Sequence, residues 1–296
     1  MDLLALSDFV LVARHGGFGK AARATGRPKA TLSRRVADLE ASLGIRLVER
    51  GARMLKLTEE GRALHARAGA LLTELDEATT AIAAGSDRPR GRLKISAPLL
   101  FSQTAMGRFA AGFALKYPDV RLEITTEDRT VDMVEEGYDL VIRVNPDPDA
   151  SLVGRQFLRD RLVMVAPRGM QRPRDGSAVR VVVRGSVNIP NEWAVVTDAG
   201  TASIRIEPVL SLSSMLNVRD AVRMGAGAAR LPISLVSHDI ASGTLAQWGE
   251  VPGSDIGLWA LYPSRRLLSV RVSAFLDHLK GEFPTGAPEE LADYLN

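Results

Sequence analysis

The sequence predicts an α/β protein in three parts: an N-terminal winged helix-turn-helix, a long linker helix and a C-terminal α/β domain. Three observations carry this. Residues 18–36 read as two short helices joined by a tight turn. Residues 58–84 keep a heptad spacing. From residue 92 onward, strand-like and helix-like patterns alternate. A length of 296 residues matches a prior of about two domains.

Leu3, Leu6, Phe9, Val10 and Ala13 recur at helical spacing, which predicts a first helix ending near Gly16-Gly17. In the second helix, Gly26 stands where the chain must enter the left-handed region, which glycine does without a Cβ penalty. Pro28 suits the first turn of the third helix, where a missing N–H costs nothing. Gly19 is a tolerable N-cap for the second helix. Leu32, Val36, Leu39 and Leu43 form the third helix's inward stripe. At 100° per residue, Ala30, Thr31 and Arg34 fall on the opposite side. Small residues there let a backbone approach closely, and a guanidinium can grip a guanine edge or a phosphate with two hydrogen bonds. Residues 46–57 suggest a two-stranded ribbon whose tip carries Arg50 and Arg53. Three helices and a ribbon follow the winged helix-turn-helix plan.

Thr58 is placed to cap the next helix, with Glu59 and Glu60 favoured in its first turn. Leu64, Ala68, Leu71, Leu75, Ala78 and Ile82 make a coiled-coil seam, which predicts pairing with a second copy rather than packing on the same chain. Residues 85–91 form a Gly- and Pro-bearing hinge. Beyond it, strands are expected at 93–97, 120–125, 139–144, 162–166, 179–183 and 258–262. Helices are expected after residue 102, near Thr130 to Glu136, near Leu216 to Met224 and near Leu267 to Leu279. This alternation argues for an open, largely parallel sheet. Residues 167–210 give no clear pattern. The expected divisions are 1–58 for the DNA-binding head, 59–84 for the linker and dimerisation helix, 85–91 for the hinge and 92–296 for the last domain.

Composition sharpens the functional reading. Apolar residues make up 46% and charged residues 25%, as in ordinary globular folds. No stretch approaches the roughly 18 apolar residues of a membrane span. Asp2 and Asp8 sit where an export signal needs a basic start and an apolar run, so a cytoplasmic protein is expected. There are no cysteines, which removes disulfides, thiolate catalysis and Cys-type zinc fingers. Eleven bases against five acids give residues 1–56 a charge of +6, leaving −3 on the other 240. A basic end on a near-neutral body suits a polyanion partner for that end. His15, His65, His238 and His278 lack metal-ligand spacing, and no serine sits in a nucleophile elbow. No enzyme, metal or cofactor is therefore expected. Gly225 to Arg230 resembles half a dinucleotide fingerprint, but it runs from helix into strand, so close packing explains it.

With these pieces placed, the chain resembles LysR-type transcriptional regulators over nearly its whole length. The matching head residues are Phe18, Ala21-Ala22-Arg23, Gly26, Ser33-Arg34, Leu39-Glu40, Leu43-Gly44, Arg46-Leu47, Glu49-Arg50 and Leu57 to Gly61. The later landmarks are residues 92–98, Tyr117 to Val120, Glu136 to Arg143, Gly225 to Pro232 and Ser242 to Leu245. The chain departs from the family where Pro28-Lys29-Ala30 replaces the usual Ser-Gln-Pro. The resemblance implies a two-lobed, periplasmic-binding-protein-like α/β effector domain, with lobe I about 92–165 and 264–296 and lobe II about 166–263. It also implies a homodimer or homotetramer, double-stranded DNA with an inverted-repeat operator, a small-molecule effector and RNA polymerase as partners.

Expected DNA contacts are Lys29, Ala30, Thr31, Ser33 and Arg34 on the third helix, with Arg50 and Arg53 on the wing. Expected effector contacts, carried over by position, are Pro98, Leu100, Phe101, Ser102, Arg129, Arg143, Ser213 and Ser214. Ser102 is read as a cap for its helix. Two rival readings are a solute-binding protein, which the basic head argues against, and an architectural DNA protein, for which the large sheet domain is excessive.

Overall fold

The third helix takes its position from a buried charge as well as from its apolar stripe. In a computed structural model describing residues 2–49, 55–84, 88–133, 136–147, 152–173, 177–185, 189–263 and 268–295, the head holds α1 (Leu3–Arg14), α2 (Phe18–Thr25) and α3 (Lys29–Leu43). Phe9, Val36, Leu39 and Leu47 pack into one core, and Val12, Ala21 and Leu32 into a smaller one beside it. Asp8 is fully buried and accepts hydrogen bonds from Arg27 Nη1 and, at 3.0 Å, from Arg35 Nη1. A buried carboxylate needs such partners.

The helix ends match the sequence with two shifts. Asp2 caps α1 by accepting from the Leu4 amide at 2.8 Å. Gly26 ends α2 with φ +70°. Pro28, expected in the first turn of α3, is instead its extended N-cap, with φ −60° and ψ 134°. Gly19 does not cap α2, which starts one residue earlier behind Gly17. The ribbon is seen at its root, where Val48 pairs with Leu57 and the Glu49 amide donates to the Lys56 carbonyl at 2.9 Å. Its tip, with Arg50 and Arg53, lies outside the described residues.

Thr58 caps α4 (Glu59–Ala84): its Oγ1 accepts from the Gly61 amide at 3.0 Å and donates to the Arg46 carbonyl at 2.6 Å. Gly61 is required there, because a Cβ would stand 2.1 Å from the Leu47 carbonyl oxygen. The expected heptad seam divides. Leu64 and Ala68, joined by Leu72, pack on the head's own core, whereas Leu71 and Leu75 are 60% and 50% exposed. The side chains of Ala78 and Ile82 lie outside the described set, as do hinge residues 85–87.

The chain divides into two compact units: Met1–Gly91 with Thr130–Asp139, and Arg92–Arg129 with Leu140–Asn296. In the second, the sheet strands are β1 (Gly91–Ala97), β2 (Val120–Thr126), β3 (Leu140–Val144), β4 (Leu152–Pro167), β5 (Val179–Arg184), β6 (Glu192–Thr197), β7 (Gly200–Leu212), β8 (Ala229–Pro232) and β9 (Leu245–Pro263). Among the described residues the order is β2-β1-β3-β9-β6-β7-β5, with β4 pairing β8 and β9. The sheet is mixed rather than largely parallel. Only β1–β3 and β5–β7 pair in parallel among the registers seen, while β4 and β9 run antiparallel from Leu152↔Pro263 to Pro167↔Leu245. Two long strands that return on each other force this.

The same two strands build two lobes. Leu158, Leu258, Ala260 and Tyr262 join Ile95, Phe109 and Phe275 in one core, while Val163 and Val165 join Val222, Leu231 and Val236 in another. Both expected lobe limits therefore shift: 258–262 belongs with the first lobe, and Val163 and Val165 belong with the second. A third cluster, around Trp193, Val195, Ile204 and Ile206, fills the β6–β7 hairpin. The unclear stretch is thus mostly strand.

Covering helices are α5 (Leu99–Phe101), a π turn (Ser102–Met106), α6 (Gly107–Lys116), α7 (Met215–Arg223), α8 (Ile233–Ala241), α9 (Val270–Glu282) and α10 (Pro288–Ala292). The helix expected near Thr130 to Glu136 is not helical at 130–133 or 136, and residues 134 and 135 lie outside the described set. Gly227 explains the Gly225 to Arg230 stretch, since a Cβ there would lie 2.6 Å from the Arg180 carbonyl oxygen.

Candidate DNA interface and effector site

On α3, Lys29, Ala30, Ser33 and Arg34 are exposed and Thr31 is half-buried. Neither Lys29 nor Arg34 has an ion-pair partner among the described residues, whereas Arg35 turns inward to Asp8. One face of the helix start therefore presents a guanidinium, an ammonium, a hydroxyl and a small side chain. Glu40 holds the far end by accepting from the Leu47 and Val48 amides at 2.7 and 3.1 Å, which fixes the root of the ribbon against the helix. The His65 imidazole on α4 is held below its ordinary value, chiefly by burial and then by the Arg14 charge.

In the second unit, all but one of the expected effector residues lie outside the first lobe's buried core. Pro98 is the N-cap of α5. Leu100 packs against the second lobe's core together with Leu212 and Met215, which flank Ser213 and Ser214. Ser214 is the N-cap of α7, without a side-chain bond. Arg143 donates from Nη2 to the buried Ser96 hydroxyl at 2.9 Å, close to the carboxyl ends of β1 and β3. Arg129 is exposed and pairs with Glu127 at 3.0 Å.

Phe101 is the exception. It is 1% exposed and its ring meets Phe157 and Phe283 at 5.6 and 5.9 Å, so it fills the first lobe's core. The cap expected of Ser102 is also absent. The helix begins three residues earlier, and the serine lies in the π turn with only a long 3.5 Å contact to the Ala97 carbonyl. The helix start is occupied instead by Asp128, whose Oδ1 accepts from the Leu99 amide at 2.8 Å. The other oxygen pairs with Arg184 Nη2 at 3.0 Å, and Arg184 Nε also donates to the Ser213 carbonyl. Asp128 follows β2 and Arg184 ends β5, so this contact joins the two lobes. Sequence reasoning missed both residues, because they stand 56 positions apart and neither belongs to a local motif.

Among the described residues, no group of three or more histidines or carboxylates could hold a metal, and no helix is long and apolar enough to cross a membrane.

Comparison with known proteins fits both parts. Residues 3–62 match the model of the bacterial regulatory helix-turn-helix protein, lysR family, and residues 86–284 match the LysR substrate binding domain. The chain belongs to the LysR family. This LysR-family regulator is 32% identical to the HTH-type transcriptional regulator PtxR of Pseudomonas aeruginosa, over 95% of its own length and 92% of that protein. Its fold resembles the solved structure of CrgA, a LysR-type transcriptional regulator from Neisseria meningitidis, with a TM-score of 0.58 and 27% identity over 96% of this chain and 99% of that one. It also resembles full-length AphB, the Vibrio cholerae virulence activator, with a TM-score of 0.52 and 26% identity over 96% and 100%. The LysR-family assignment makes the head a DNA-binding module and the two-lobed domain the part that takes an effector.

Proposed function

We propose that Arg34 reads a base or phosphate in the major groove, that Thr31 and Ala30 make close base contacts, and that Lys29 and Ser33 hold phosphates. Arg50 and Arg53 extend the grip to the backbone or minor groove. The observation that carries this is the division of labour on α3: Arg35 is held by Asp8, while Arg34 and Lys29 stay exposed without ion pairs among the described residues. Two copies joined through α4 present two such helices to an inverted repeat, as a dimer or a pair of dimers, in the cytoplasm and in reach of RNA polymerase. The effector lies between the lobes, framed by Pro98, Leu100, Ser102, Arg129, Arg143, Ser213 and Ser214. Its binding and DNA binding are coupled by about 1–3 kcal/mol, typical of two-site linkage.

The test is fluorescence anisotropy on an operator-containing duplex and on a scrambled one, across a salt series, with and without metabolite pools. Preferential binding whose affinity falls steeply with salt supports the reading. Equal affinity for both duplexes overturns it.

A further inference from the structure

A cavity of about 590 Å³ opens on the first lobe between β4, α9 and the turn that follows α9. It shares no residue with the proposed effector site. Its floor is apolar, with Phe157 beside the buried Leu276 and Phe283. Around that floor stand Arg155, Arg159 and Lys280, and no acidic residue lines the cavity. None of the three cations has a carboxylate partner among the described residues. Elsewhere on this lobe Arg92 and Arg121 share Glu123.

The wall is built in advance. Glu290 accepts from the Thr285 amide and hydroxyl and from the Gly286 amide, at 2.7–2.9 Å, which fixes the turn. The Arg159 amide donates to the Gly286 carbonyl at 2.8 Å. Gly286 lies flat on the strand, with φ +69° and room for no Cβ, since one would meet the Phe157 carbonyl oxygen at 2.9 Å. Apolar clefts of a few hundred Å³ with a few convergent polar groups are the usual form of small-molecule sites.

We infer that this cavity is a second ligand site, for a small molecule carrying a carboxylate on an apolar aryl or alkyl body. The body lies on Phe157, Leu276 and Phe283, and the carboxylate faces Arg155, Arg159 and Lys280. The site has a route to the other lobe. Strand β4 carries Arg155 and Arg159 and then crosses at once through Asp160 into the second core.

The probe is 1-naphthoate, titrated calorimetrically into the full chain. We expect saturable binding, weakened at least about tenfold (about 1.4 kcal/mol) when naphthylmethanol or acetate replaces it. An R155Q/R159Q double variant should lose at least about tenfold with an unchanged melting temperature, and K280Q alone should weaken binding less. Ser102→Trp, placed in the effector cleft, should bind naphthoate like the parent. Absence of saturable binding at millimolar naphthoate overturns the inference, as does equal affinity for the alcohol. Binding that survives R155Q/R159Q but is lost in Ser102→Trp places the ligand in the cleft and overturns it too, without touching the proposed DNA function.

Discussion

Asp8 sits in the apolar stripe of α1, next to Phe9, and is fully buried with two guanidinium partners. It ties the middle of α3, through Arg35, and the turn before that helix, through Arg27, to the first helix. Removing one partner of such a set leaves polar groups short of bonds, so Asp8→Ala should lower the head's stability by roughly 1–3 kcal/mol. The check is a urea midpoint followed by far-ultraviolet circular dichroism. Arg34→Ala should leave that midpoint unchanged and cost about 1–3 kcal/mol on the cognate duplex, with relaxed base preference. Equal operator affinity of parent and variant would remove Arg34 from the interface. Periodicity made the exposed side of α3 readable in the sequence. Asp8 also carried a signal, a carboxylate at a helical core position, but periodicity alone could not name its partners 19 and 27 residues on. Phe101 shows the opposite error. Its apolar character was plain, but whether its ring turned to the cleft or to Phe157 and Phe283 depended on packing.

At the level of elements, α4 serves two surfaces. Leu64, Ala68 and Leu72, each four residues apart, lie on the head, and Leu71 and Leu75 are left on the outside. A heptad reading merges these stripes, because steps of three and four serve both a seam and a core-facing helix. Replacing Leu71 and Leu75 with lysine should separate the copies in analytical ultracentrifugation without lowering the thermal midpoint. A dimer that persists in this double variant would locate the pairing surface elsewhere.

The β4 crossover adds a pH signature. Burial raises the Asp160 carboxyl above its ordinary 3.8, against lowering hydrogen bonds from the Ser234 hydroxyl and the Arg161 amide. The folded chain then holds that proton more tightly than the unfolded one. Stability from this group is therefore full below the ordinary value and lost as pH rises from there through the raised one. Asp160→Asn should flatten that slope in denaturant melts taken between those limits; an unchanged slope would show that other groups set it. Strands β1 and β2 were readable as alternating patterns, and β3 and β5 as short apolar runs. The β6–β7 hairpin alternates too, with Trp193, Val195, Ile204 and Ile206 set among Ser, Arg, Glu and Ala, but it lies in a Pro- and Arg-rich stretch that masked the pattern.

Across the second unit, the lobes meet through Asp128 and Arg184, each about half exposed. A pair so open to water is worth under about 1 kcal/mol, so Arg184→Ala should barely move the unfolding midpoint. Its bonded neighbour separates the roles. Asp128→Ala should speed hydrogen exchange at the Leu99 amide, while Arg184→Ala should leave that amide protected; equal effects would mean that the carboxylate depends on the arginine for its place. The mixed sheet has one more mechanical result. Because β4 and β9 stay hydrogen-bonded to each other through both lobes, interrupted only at the shifts near Gln156, Arg161 and Met164, the halves are joined by a twisted ribbon rather than a pair of loose threads. Such a continuous ribbon makes the two halves of the second unit answer to one another: a load placed on one is carried along the same pair of strands to the other.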